Sequence, residues 1–287
     1  MGRDAGKPNS KPGTRPGRAA PVRLRRPASR GRAEVTEWAP PVTAGADAPL
    51  AFRPAPGWLP PGRRVYAIGD IHGCAAALAA VLARICADLA ARPAAAELVL
   101  LGDYIDHGPD ASAVLDLLAG PPPVSGARLI ALRGDHEQRL LYALAGDAPE
   151  ATDFLAEGGV ASLASWGIPP ATPPGAWTAR LPPAHLAFLR GLRLSHRVGG
   201  YVFVHAGLRP GVALARQLRA DVLTIRQPFL SEPASFGAVV VHGHSVTPAP
   251  AIEAGRIGLD TGAGLGGRLS CAVLEDDAIA LFSVPAA

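Results

Sequence analysis

Lysine is almost missing from this 287-residue chain: of 28 basic residues only Lys7 and Lys11 are lysines. Together with the abundance of Ala, Gly and Pro, this reads as coding bias and not as chemistry. Cysteine is scarce as well. Cys74, Cys86 and Cys271 are odd in number and far apart, which leaves no zinc or redox spacing and makes a reducing, cytoplasmic setting the expectation. No stretch reaches the ~18 apolar residues, free of charge, Pro and Gly, that a spanning helix needs, so no membrane partner is expected. The N-terminus is positively charged but has no apolar run behind it, which argues against a signal peptide. Its Pro and Gly would also spoil the amphipathic helix of an organellar leader.

Acidic side chains are nearly absent from the first 32 residues, which hold ten basic groups against Asp4 alone, a net +9, while residues 33–287 carry −5. The formal +4 of the whole chain therefore belongs to its beginning. A strongly basic, nucleic-acid-binding body is excluded, and nucleic acid is not an expected partner. Residues 1–62 are rich in Pro, Gly and Arg and too poor in apolar surface to offset their ordering entropy, so a disordered tail is expected there. At 48% hydrophobic, the remainder, 63–287, can bury a sizeable core.

From residue 63 short apolar runs alternate with helical spacing. Runs at 65–68, 98–101 and 129–132 each end near a Gly-Asp pair, and helical patterns follow over 75–89, 113–118 and 138–144. This rhythm predicts an α/β domain with a largely parallel sheet. Ligand sites on such sheets lie at the carboxyl ends of the strands. Residues 147–198 read as helical and Pro-interrupted, a cap over the site. Further short strands are expected at 201–204, 238–241, 256–259, 271–274 and 279–282.

The strand ends carry the chemistry. Asp70, Asp103 and Asp135 follow three strands at spacings of one βα unit, with His72, Asp106, His107, His136 and Glu137 around them. His205 and the pair His242 and His244 follow two later strands. A lone strand-end Asp is usually a helix cap, and a lone buried His is usually core. Five strand ends each delivering such a group beside Gly point instead to two divalent cations such as Mn, Fe or Zn. Two ions ~3.5–4 Å apart suit in-line displacement at phosphorus. His185 and His196 have no partner motif and read as structural.

The blocks Gly69-Asp70-Ile71-His72-Gly73, Gly102-Asp103-Tyr104-Ile105-Asp106-His107-Gly108 and Arg133-Gly134-Asp135-His136-Glu137 resemble the three signature blocks of calcineurin-like metallophosphoesterases. The likeness is nearest to the phosphoprotein phosphatase branch, including its bacterial serine/threonine phosphatases. It continues through His205-Ala206-Gly207, Gly243-His244-Ser245 and Asp260-Thr261-Gly262. The resemblance implies an α/β/α sandwich around two mixed β-sheets. It implies that Asp70, His72 and Asp103 hold one metal, and that Asp103 bridges to a second held also by Asp135, His205 and His244. His136 would be the general acid, held by Asp106, and Arg226 would clamp phosphate. Attack by metal-held hydroxide, without a phosphoenzyme, is implied, with manganese the leading ion and iron or zinc the alternatives.

Two positions depart from the resembled pattern: Asp135 stands where the family has Asn, and His107 where it has Arg. Asp135 adds a negative charge, and His107 lacks the forked donor that grips phosphate. These changes predict intact metal binding with weaker phosphatase activity, or a preference for a less charged ester. The expected substrate is a phosphorylated protein; a dinucleoside polyphosphate is the second possibility, and a metal-stabilised binding module the third. Glu157-Gly158-Gly159 and Ser165-Trp166-Gly167 resemble a motif of bacterial members and read equally as a substrate-facing cap or as loop glycines with a core Trp. The Gly-rich run 262–267 lacks the Lys-Ser/Thr of a nucleotide loop and reads as a turn near the site.

Overall fold

Tyr66 and Ile68 point to one side of their strand, and Val65 and Ala67 to the other; all four are buried. The sheet they belong to is therefore covered on both faces. The computed structural model describes residues 1–2, 49–232 and 236–286, and every element lies in a unit running from Val35 to Ala287. Most of the tail expected over 1–62 falls outside the described residues. Its last part does not behave as a tail. The short strand β1 (Arg53–Pro54) pairs with residues 278–279 at the sheet edge, where a missing proline N–H is tolerated. Leu59 is buried, and the carbonyl of Trp58 accepts from the Gly200 amide at 2.8 Å.

The alternation runs β2 (Arg63–Ile68), α1 (Ala75–Ala91), β3 (Ala95–Leu100), α2 (Ala111–Leu118), β4 (Ala127–Ala131) and α3 (Asp135–Leu144). Helix α1 buries Leu78, Val81, Leu82, Ile85 and Leu89 along one stripe, the spacing of an amphipathic helix, and ends before Pro93. Helix α2 is capped by Asp110, whose carboxylate accepts from the Ala113 amide at 2.8 Å. The cap region contributes α4 (Ala148–Phe154), α5 (Val160–Ser165) and α6 (Pro183–Gly191), with a kink at Gly158, φ 97°. Next come β5 (Ser195–Val198), β6 (Tyr201–Val204), α7 (Arg219–Thr224), β7 (Val239–His242), β8 (Ala251–Ile252), β9 (Arg256–Gly258), β10 (Arg268–Glu275) and β11 (Ala278–Pro285).

These strands form two sheets, ordered β1-β11-β10-β2-β3-β4 and β5-β6-β7-β9-β8. In the first, β2, β3 and β4 are parallel, whereas β10 runs antiparallel to its neighbours β2 and β11. The sheet is thus mixed, which corrects the expectation of a largely parallel one and agrees with the two mixed sheets implied by the resemblance. In the second, β6, β7 and β9 are parallel. Val65, Ala67, Val99 and Ile130 of the first sheet meet Tyr201, Phe203, Val241 and Ile257 of the second. Tyr66, Ile68, Leu98 and Leu100 pack on the helices instead. Each fully buried aliphatic side chain contributes roughly 1.5–3 kcal/mol, so this double-sided core holds the sheets face to face. Among the described residues no helix is long and apolar enough to cross a membrane.

Candidate metal centre

Six parallel strands, three from each sheet, send their carboxyl ends to one edge, and tight turns follow them. His72, Asp103, Asp106, His107 and His244 adopt φ between 46° and 70°, a region that costs non-glycine residues of order 1–3 kcal/mol each and collects at functional sites. The adjoining glycines are there for space. A methyl group at Gly243 would run into the Asp70 carboxylate, and one at Gly134 into Asp103.

The crowding gathers two sets of donors, Asp70–His72–Asp103 and Asp103–Asp135–His205–His244, each with its ligand atoms within 4.8 Å of one another. Nε2 of His205 lies 3.1 Å from Asp135 Oδ1 and 3.4 Å from Asp103 Oδ2. Nδ1 of His244 lies 3.1 Å from Asp135 Oδ1, and Nε2 of His72 lies 3.6 Å from Asp103 Oδ2. The Nδ1 atoms of His72 and His205 are each 2.9 Å from a backbone carbonyl, of Ile105 and Leu101. Donation to those carbonyls leaves Nε2 as the lone pair that faces the carboxylates.

The set fits divalent cations. Asp70 Oδ1 and His244 Nε2 are buried without a hydrogen-bond partner, a costly state for polar atoms unless an ion takes them up. Burial, then the nearby Asp260 carboxylate, raises the Asp70 carboxyl well above its ordinary range; burial raises Asp103 to about 7. Burial also works against ionised Asp135, but hydrogen bonds from His205 and His244 hold it well below the usual carboxylate range. Oxygen and imidazole donors without thiolate suit borderline or hard ions.

Beside Asp103, common to both sets, stands a buried His–carboxylate pair. His136 Nδ1 is 2.7 Å from Asp106 Oδ2. Burial disfavours a charged His136, yet Asp103 and Asp106 together raise it to about 10. Asp106 is wholly buried and held from the cap: Ser162 Oγ donates to Asp106 Oδ1 at 2.6 Å and accepts from the Asp106 amide at 2.7 Å. The sequence singles out the flanking 157–159 and 165–167 segments, but not Ser162 itself. Glu137, given no role by the sequence, is a buried brace whose carboxylate accepts from the amides of Asp103, Tyr104 and Gly134 at 2.7–3.0 Å. Its signal was the third position of a helix that starts at Asp135, three residues earlier than expected.

The remaining expectations divide. Arg226 is at the site, its Nη2 3.4 Å from the His244 carbonyl. His107 is exposed and its ring centroid lies 5.1 Å from that of His136. His242 is a buried neighbour, its Nδ1 3.0 Å from the Gly243 carbonyl. His185 and His196 are structural, paired with Asp116 at 2.9 Å and Glu97 at 2.7 Å. Gly158 presses against the His107 ring, so the kinked loop does touch the site. Trp166 packs instead in the cap, its Nε1 donating to His185 at 3.2 Å. Residues 262–267 form a turn in which Gly264 backs onto His72.

The chain matches the family of calcineurin-like phosphoesterases over residues 63–264. It is 30% identical over 176 residues to a symmetrical bis(5'-nucleosyl)-tetraphosphatase of Dechloromonas aromatica (strain RCB), covering 58% of this chain and 53% of that protein. It is 38% identical over 97 residues to serine/threonine-protein phosphatase 1 of Salmonella typhimurium, covering 34% and 39%. The chain thus spans about half or less of the length of these curated relatives. A crystal structure described as a candidate diadenosine tetraphosphatase superposes with a TM-score of 0.53 at 25% identity, covering 77% of this chain and 93% of that one. A cold-active protein tyrosine phosphatase, also at 0.53 but at 17% identity, shares the fold. The match along most of the domain, on a two-sheet scaffold that gathers Asp and His at one edge, makes the chain a member of the calcineurin-like phosphoesterase family.

Proposed function

We propose that the chain hydrolyses phosphoric esters with two divalent cations, manganese first among them, held by Asp70, His72, Asp103, Asp135, His205 and His244. The observation that carries this reading is the hydrogen-bonded His136–Asp106 pair set against the two donor clusters that share Asp103. Cations bound there supply charge that draws in the phosphoryl oxygens and makes water acidic enough to attack at neutral pH. The protein does the rest. Arg226 approaches from the His244 side and orients the phosphoryl group. His136 delivers its Nε2 proton to the departing oxygen, and Asp106 stabilises the imidazolium before transfer. Part of the raised basicity of His136 comes from Asp103; sharing that carboxylate with cations returns the acid toward neutrality, where proton transfer is efficient.

A phosphorylated protein side chain is the first substrate class. A dinucleoside polyphosphate is the second, favoured by the longer matches to the tetraphosphatases. Turnover of a phosphoserine peptide and of diadenosine tetraphosphate, each with manganese and with chelator, separates the two. Chelator-sensitive cleavage of either supports the mechanism; turnover of neither contradicts it.

A further inference from the structure

Three imidazoles at the mouth of the site form a nearly equilateral triangle. The ring centroids of His72, His107 and His136 lie 5.0, 5.0 and 5.1 Å apart, each pair edge to face. One nitrogen from each falls within 4.8 Å of the others. His72 has Nδ1 engaged by the Ile105 carbonyl and His136 has Nδ1 engaged by Asp106, which leaves Nε2 of each as the nitrogen available to an ion. His107 completes the set from an exposed loop position.

We propose that this triangle is an inhibitory site for a borderline transition-metal ion of the zinc class, distinct from the pair of ions in the carboxylate clusters. A three-imidazole set attracts zinc, cobalt or copper far more than magnesium or manganese, whose preference is for oxygen. The site is exclusive in two ways. His72 also belongs to the Asp70–His72–Asp103 set, and one lone pair serves one cation, so an ion in the triangle withdraws a ligand from that set. Binding to His136 replaces its Nε2 proton with the metal, releasing the proton to solvent and removing the acid. The device depends on His107, since an arginine there offers no lone pair.

The test uses the manganese-loaded protein and zinc alone as probe. His107→Asn keeps a residue that tolerates positive φ and removes the imidazole; His107→Arg is the second variant. Equilibrium dialysis should show zinc binding weakened about tenfold or more in both variants, the scale expected for loss of a metal contact. Zinc inhibition of p-nitrophenyl phosphate hydrolysis should weaken in parallel. A crystal of the unmodified protein soaked in zinc should give an anomalous peak among the three rings. That peak needs neither a variant nor any turnover, so it stands even where the hydrolase reading fails. Zinc seen only in the carboxylate clusters, or equal zinc binding in the protein and both variants, overturns the proposal.

Discussion

His136 and Asp106 are thirty positions apart in sequence and 2.7 Å apart in space, because β3 and β4 are parallel neighbours whose following turns open on the same edge. If Asp106 holds His136 as the proton donor, Asp106→Asn should lower kcat by about 10²-fold or more, within the range of general acid catalysis, and leave metal content unchanged. Unaltered kcat with a leaving group as basic as a serine alkoxide would remove His136 from the acid role.

Ser162 reaches Asp106 from the cap with two hydrogen bonds and is fully buried. Ser162→Ala frees one carboxylate oxygen and one amide, at a cost of about 1–3 kcal/mol of stability. It should also loosen Asp106, lowering kcat with little change in KM and shifting the alkaline limb of the kcat–pH profile, which reports loss of the acid's proton, to lower pH. A stability loss with an unmoved pH profile would make Ser162 a packing residue only.

If Asp135 and His107 occupy the family's Asn and Arg positions, they leave the site with more negative charge and a weaker anion grip than that pattern. The double substitution Asp135→Asn and His107→Arg should raise kcat/KM on p-nitrophenyl phosphate. An equal or lower value in a protein of unchanged metal content would discard this account of the two positions.

His242, a neighbour of the candidate metal donors, supplies a pH dependence of stability. Burial, despite the hydrogen bond to the Gly243 carbonyl, lowers it from 6.5 to about 4. As pH falls below 6.5 the unfolded chain takes up this proton while the folded one resists, so stability is lost between pH 6.5 and 4 and levels off below. The loss amounts to about 3 kcal/mol at most. Denaturant unfolding at pH 7 and at pH 4.5 should therefore differ less in His242→Asn than in the unmodified protein; equal differences would contradict it.

The candidate metal donors were legible because they gather at the ends of apolar strands, and Asp70, Asp103, Asp135 and His244 each directly follow a Gly, a local pattern with a direct structural cause. Gly243 and Gly134 make the point: their neighbours' carboxylates fill the space that a Cβ would need. The apolar spacing places the start of helix α3 at 138 because Asp135, His136 and Glu137 interrupt it; acidic groups in a first turn are instead favoured by the helix dipole. The pairing of β1 with β11 was hidden because two strand residues beside prolines carry no periodicity. Ser162 was illegible for another reason: its meaning lies in a contact 56 residues away, and no local pattern encodes that.

Metal content and phosphate-ester turnover, measured on one purified sample, test the central claim most directly. The account predicts about two ions per chain and p-nitrophenyl phosphate hydrolysis that is lost with chelator and restored by manganese. Bound ions with no turnover on this ester, on a diester analogue, on the phosphoserine peptide or on diadenosine tetraphosphate would contradict the hydrolase reading.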